Sequence, residues 1–132
     1  MNLNSIEIAP TDEPSGAPAA SRPKPSPDRD SDWEARIAAI RSQCCGADPR
    51  AGGAQAAAAI EDARAQGRGD IQSRLTYLLG FSQMMSNAPH DAASSMLLAI
   101  DVARLAERRD LEVHALSGLG AAHGQMNDNV TA

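Results

Sequence analysis

The chain matches itself at a spacing of forty residues. Asp30, Asp70 and Asp110 fall forty apart, as do Leu79 and Leu119, Gly80 and Gly120, Asn87 and Asn127, and Ala92 and Ala132. Ile60-Glu61-Asp62-Ala63-Arg64 returns as Ile100-Asp101-Val102-Ala103-Arg104, and Arg68 returns as Arg108. A fixed period of this size belongs to stacked repeats, in which one unit cannot bury its apolar face without its neighbours. Such arrays offer extended surfaces to other proteins. Ala132 is the counterpart of Ala92, so the third copy is expected to be incomplete.

Local signals divide each copy into two helices. Ser31-Asp32-Trp33-Glu34 fits a capping box, in which Ser31 bonds the Glu34 amide and Glu34 reaches back. A first helix is therefore expected from Ser31 to about Cys45, with Trp33, Ile37 and Ile40 on one face. Asp48-Pro49 opens the second, as an N-cap followed by proline at the first helical position. Gly67 or Gly69 ends it, and Gly52 and Gly53 weaken its first turns. Asp70 is expected to cap a third helix with a stripe of Leu75, Leu78, Leu79 and Met85. Asn87-Ala88-Pro89 breaks it. A fourth helix follows from about His90 to Arg108, with Ala92, Met96, Ala99, Ile100 and Ala103 on one side and arginines at its C-terminal end. Asp110 is expected to cap a fifth through Leu119, Asn127-Asp128-Asn129 to form the next turn, and Val130 to begin a sixth. The units are then helix–turn–helix pairs at 31–70, 71–110 and 111–132.

Residues 1–30 are of another kind. They hold six of the eight prolines among Ser, Ala, Asp and Glu. Such a segment cannot bury enough apolar surface to offset its ordering entropy, and a disordered tail is expected there. The foldable part is 31–132. Aromatics make up 2% of the chain and comprise Trp33, Tyr77 and Phe81, so the core must be built of Ala, Leu, Ile and Met. That favours close-packed helices over a sheet. The net charge of -5 lacks the basic stripe of a nucleic-acid binder. No apolar run approaches the ~20 residues needed to span a bilayer, and the N-terminus carries no secretory pattern. A cytoplasmic protein is expected.

Few residues point to chemistry. Gly118-Leu119-Gly120-Ala121-Ala122-His123-Gly124 is a loose glycine motif, but it lies inside a helical pattern and lacks the preceding strand that a phosphate loop requires. His114 and His123 are too far apart for a metal pair on one helix face, and no Cys/His ligand spacing exists. Cys44-Cys45 sits at a helix C-terminus, which disfavours a thiolate. Ser94 and Ser95 have no evident base. The expectation is a protein without catalysis, metal or cofactor.

Leu79-Gly80, Ala92 and Ala99 carry a family likeness, and Leu119-Gly120 with Ala132 carries it again. The pattern resembles the tetratricopeptide repeat, in which Leu-Gly in a first helix is followed by small residues in the second. A forty-residue unit is longer than the usual one of about 34 residues. It is similar to an extended variant in bacterial signalling proteins, including sensory regions ahead of diguanylate cyclase domains. The first unit departs from the pattern, with Ala39-Ile40 for Leu-Gly and Gly52 opposite Ala92. Thr76 and Gln83 replace aromatics of the first helix, and Met96 one of the second.

The resemblance implies a short all-α solenoid whose first helices line a concave groove. It places Arg74, Tyr77, Phe81, Met84 and Met85 along that groove, extended by His114, Ser117 and Gln125 and by Arg41. Arg74 is the expected anchor for a partner carboxylate, with Tyr77 and Phe81 as apolar contacts. The same aromatics and methionines also suit ordinary helix–helix core. A protein or peptide partner is implied, and the alternative is the sensory region of a signalling enzyme such as a diguanylate cyclase. Leu116 and Leu119 lack a complete following helix, so self-association through that open end is a further expectation.

Overall fold

The computed structural model describes residues 27–131, and all of its elements are helices: α1 (Pro27–Cys44), α2 (Pro49–Ala65), α3 (Gly69–Met85), α4 (Pro89–Leu105) and α5 (Arg109–Thr131). The expected tail falls outside the described residues as far as residue 26. Pro27–Asp30 instead belong to α1, which begins four residues ahead of the expected Ser31 cap. Proline fits a first helical turn, where its missing N–H is no loss. The chain divides into two units at Asp32/Trp33, and the packing described below lies within the second.

The forty-residue period resolves into two steps of twenty. Pro49, Gly69, Pro89 and Arg109 open successive helices, each twenty residues after the last. Three-residue joints separate them, and the joints share one geometry. Arg68 N–H donates to Ala63 C=O (2.9 Å), Ala88 to Gln83 (2.8 Å) and Arg108 to Ala103 (2.9 Å). One residue earlier, Gly67, Asn87 and Glu107 donate to Arg64, Met84 and Arg104, each at 3.0 Å. This paired pattern closes a helix with a left-handed residue at its centre. Gly67, Asn87 and Glu107 accordingly have φ of 67°, 60° and 56°.

Helix starts also differ from expectation. Asp48 does cap α2, accepting from the Ala51 amide at 3.4 Å. Asp70 and Asp110 do not cap α3 and α5, which begin one residue earlier. Each lies in the first turn and is held by the arginine two positions before it. Arg68 grips Asp70 through Nε and Nη2, both at 3.1 Å. Arg108 grips Asp110 in the same way at 3.0 and 2.8 Å. The fork outcompetes the cap because a charge-assisted bidentate pair is stronger than a single bond to a backbone amide.

No turn forms at Asn127-Asp128-Asn129; α5 continues through it to Thr131. At Asn87 the following Pro89 reinforces the break and opens the next helix, and Asn127 lacks that reinforcement. The end of α5 is also tied back to α3. Gln125 Nε2 donates to the Met84 carbonyl (3.0 Å) and Asn129 Nδ2 to Asn87 Oδ1 (3.3 Å).

Small residues set the packing. Ala56, Ala59, Ala63, Ala92, Ala99 and Ala103 are fully buried along α2 and α4, with Ile37, Leu75 and Met96 the bulkiest of the fully buried side chains. Gly52 brings α2 against α1: a Cβ there would lie 2.6 Å from the Cys44 backbone nitrogen. Met96 fills the space between α3 and α5. A Cβ on Gly80 would meet its Cε at 2.9 Å, and one on Gly118 its Sδ at 2.6 Å. Burial of such a side chain stabilises the fold by roughly 1.5–3 kcal/mol. Among the described residues, no helix is long and apolar enough to cross a membrane.

Candidate functional site

The odd-numbered helices touch one another, α1 and α3 through positions forty residues apart. Glu34 on α1 and Arg74 on α3 form a two-toothed ion pair, Nη1–Oε2 at 2.6 Å and Nη2–Oε1 at 2.9 Å. The third copy of that position is His114 on α5. Its ring centroid lies 4.1 Å from that of Tyr77, with the planes inclined by 37°. Glu34, Arg74 and His114 are thus a row of equivalent positions on α1, α3 and α5, with Glu34 paired to Arg74 and His114 set against Tyr77.

Beside this row is a cavity of about 300 Å³, lined by Arg41, Ser73, Arg74, Tyr77, Leu78, Asp110, Leu111 and His114. The structure therefore gathers Arg41, Arg74, Tyr77 and His114, four of the residues expected on the groove. It adds Ser73, Leu78, Asp110 and Leu111. Asp110 was hidden by its expected role as a cap. Ser73 was hidden because small polar residues carry little signal, although its hydroxyl donates to the Ala99 carbonyl of α4 at 2.9 Å.

The other expected contacts lie elsewhere. Phe81 is half-buried against the cluster of Trp33, Ile37, Ile40, Leu75 and Leu78. Met84 packs on Ala92, Ala93 and Ala122 with Leu119 and Met126. Met85 is exposed at the end of α3, Ser117 is exposed on α5, and Gln125 is engaged with the Met84 carbonyl. None of these five lines the cavity.

Electrostatics follows from the pairs. The Arg74 hydrogen bond holds the Glu34 carboxyl below its ordinary range. Arg68 does the same for Asp70, and Arg108 for Asp110. Burial pushes the Tyr77 phenol up, with the Arg41 charge opposing it. Arg74 is thus an occupied cation: its side chain is 24% exposed and already holds a carboxylate. Arg41 stands exposed at the rim. At the N-terminal end of α3, Arg68, Asp70 and Arg108 border a second, wider cavity of about 630 Å³, where Arg108 Nη1 lies 3.8 Å from Asp70 Oδ2.

Among the described residues, no group of His, Cys, Asp and Glu is placed to hold a metal ion. Compared with protein-family models, curated proteins and solved structures, the chain matches none of them.

Proposed function

We propose that this protein is a helical-repeat module of tetratricopeptide type that binds a peptide or helix in the groove formed by α1, α3 and α5, without chemistry of its own. The observation that carries this is the cavity between Arg41, Tyr77, Asp110 and His114. At about 300 Å³ it stands at the lower bound for small-molecule pockets, and suits one or two inserted side chains of a longer ligand. Its walls combine a stacked aromatic–imidazole pair with both signs of charge, a mixture suited to a polar segment with an apolar anchor. The Glu34–Arg74 pair supports the repeat assignment, because equivalent positions of successive units become neighbours in a stack.

Arg41, rather than Arg74, is the cation available to an incoming carboxylate, since Arg74 is committed to Glu34. Selection of a displayed peptide library on the whole chain tests the proposal. Wild-type protein is expected to enrich sequences pairing an acidic with a bulky apolar residue. Arg41→Glu and Tyr77→Ala, folded by circular dichroism, are expected to lose them. Enrichment that survives both substitutions would remove the groove from consideration.

A further inference from the structure

The carboxylates around the groove are each held by an arginine. Glu34 on α1 is held by Arg74, and Asp70 on α3 by Arg68. On α5, Asp110 is held by Arg108 and Glu112 by Arg104 of α4. The four pairs close at 2.6–3.1 Å and cancel in charge. Among the described residues, Arg41 on α1 and His114 on α5 take part in none of these pairs, and both line the same cavity of about 300 Å³. The Arg41 charge is felt at Glu34 and at Tyr77. All the walls of the cavity come from α1, α3 and α5, so it needs no further helix to form. A rounded space of that volume is about 8 Å across, no more than one Debye length at physiological salt. A single carboxylate seated there therefore lies in the field of both side chains.

Histidine is the side chain that changes charge between about pH 5 and 8. Protonation of His114 takes the groove from one uncommitted cation to two. The structure favours the charged ring in two ways. His114 lies against Tyr77 with centroids 4.1 Å apart and planes inclined by 37°, so its nitrogens stand around the ring edge rather than against the phenol. Burial keeps Tyr77 a neutral phenol, whose face attracts an imidazolium. Asp110, one turn before His114, competes for the new charge, but Arg108 engages both of its oxygens, at 3.0 and 2.8 Å. Leu78 and Leu111 add apolar wall to the same cavity. We propose that the groove takes a carboxylate set beside an apolar group, held by Arg41 and protonated His114 together, and grips it more tightly as the pH falls from about 8 to about 5.5. This rests on the groove reading above and adds to it a second cation and a dependence on pH. A bare anion would leave Leu78 and Leu111 unused, and a cationic ligand would meet Arg41.

Two capped peptides test it, one carrying Glu-Leu and one Gln-Leu in the same glycine–serine frame. Each is titrated into the whole chain by NMR at about pH 8 and at about pH 5.5, where a peptide glutamate is still ionised. Wild-type protein is expected to bind the Glu-Leu peptide about threefold or more tightly at the lower pH, and the Gln-Leu peptide equally at both. His114→Gln, folded by circular dichroism, is expected to keep the affinity found at the higher pH and to lose the gain. His90→Gln is expected to keep the gain, and Arg41→Gln to weaken binding at both pH values. Glu-Leu binding that does not change with pH overturns the inference and leaves the groove standing. So does a gain that survives His114→Gln, or an equal gain for the Gln-Leu peptide. Binding of neither peptide at either pH overturns the inference and the groove together.

Discussion

Arg74 on α3 clasps the carboxylate of Glu34 on α1 with both of its terminal nitrogens, at 2.6 and 2.9 Å, and the two residues are copies of one repeat position. A repeat unit offers the same site to the unit before it and the unit after it. Opposite charges at successive copies therefore hold the helices in register. A double-mutant cycle of Glu34→Gln and Arg74→Met is expected to give a coupling of about 0.5–1 kcal/mol, the upper part of the range for surface pairs, because the contact is bidentate and Arg74 is largely covered. Raising the salt concentration should shrink it.

Acid should weaken the fold through three carboxylates together. Glu34, Asp70 and Asp110 are held below their ordinary values, chiefly by hydrogen bonds from Arg74, Arg68 and Arg108. A group whose folded pKa is depressed contributes fully above its unfolded pKa and loses that contribution as pH falls through the folded value. Thermal melts are thus expected to change little between neutrality and about pH 5, and to move downward below about pH 4. Glu34→Gln should flatten the acid limb in part. A melting temperature that rises on acidification would contradict these pairings.

Glu107 adopts a left-handed backbone at φ 56° with a full side chain, where the equivalent joint after α2 has Gly67. That conformation costs a residue with a Cβ roughly 1–2 kcal/mol. Glu107→Gly is expected to stabilise by about 0.5–1 kcal/mol, after the added freedom of glycine in the unfolded chain is subtracted. Gly67→Ala should destabilise by about 1 kcal/mol. Urea unfolding of the two variants beside the wild type measures both signs.

The same substitution should act oppositely at two helical glycines. At Gly52 a methyl group would strike the Cys44 backbone at 2.6 and 2.8 Å, and at Gly120 it would meet open space. Gly52→Ala is expected to cost about 1–3 kcal/mol by forcing α1 and α2 apart. Gly120→Ala is expected to gain about 0.5–1 kcal/mol in dilute protein through helix propensity alone. Equal effects at the two sites would refute the close approach of α2 to α1.

The adjacent cysteines should differ in reactivity. Cys44 is fully buried, its Sγ lies 3.7 Å from the Leu78 carbonyl, and burial pushes its thiol up; Cys45 is exposed. Iodoacetamide is expected to label Cys45 in the native chain and Cys44 only after unfolding. Peptide mapping by mass spectrometry resolves the two sites.

The helices were legible in the sequence because their ends are marked by strong local chemistry. Pro49 and Pro89 fit only a first turn, and Gly67 is an ordinary left-handed helix terminator. Glu107 was not legible, since nothing in a glutamate announces positive φ; the joint is held by the Glu107 and Arg108 amides, which close on the Arg104 and Ala103 carbonyls of α4. Asp70 and Asp110 read as caps because a cap is the commonest use of aspartate before a helix, and no local rule ranks it against an arginine two residues earlier. Asn127 is misleading for a related reason, as its copy Asn87 stands beside Pro89, which reinforces the break there. Site residues were harder still. Tyr77 and His114 are stacked on each other, whereas Phe81 and Met84 share the aromatic or sulfur character of a groove residue but are half-buried in core. Composition does not separate them, and neither does the angle around the axis, since spacings of three and four keep Tyr77, Phe81 and Met84 on one side of α3; what differs is the level along the helix, where Tyr77 meets His114 and Met84 meets Ala92, Ala93 and Ala122.

The uniform joints carry a consequence for how such a chain changes over generations. The turn after α2 and the turn after α4 share backbone path, arginine and aspartate. If residues 69–108 were excised, Arg68 would run directly into Arg109 and grip Asp110 as it grips Asp70 now. Duplication of the same stretch would be equally silent at its seams. Unequal crossing-over within the gene can therefore lengthen or shorten the protein by whole forty-residue steps without a new junction for selection to repair. Length in this architecture is a heritable variable that can drift, while the chemistry of each joint stays fixed.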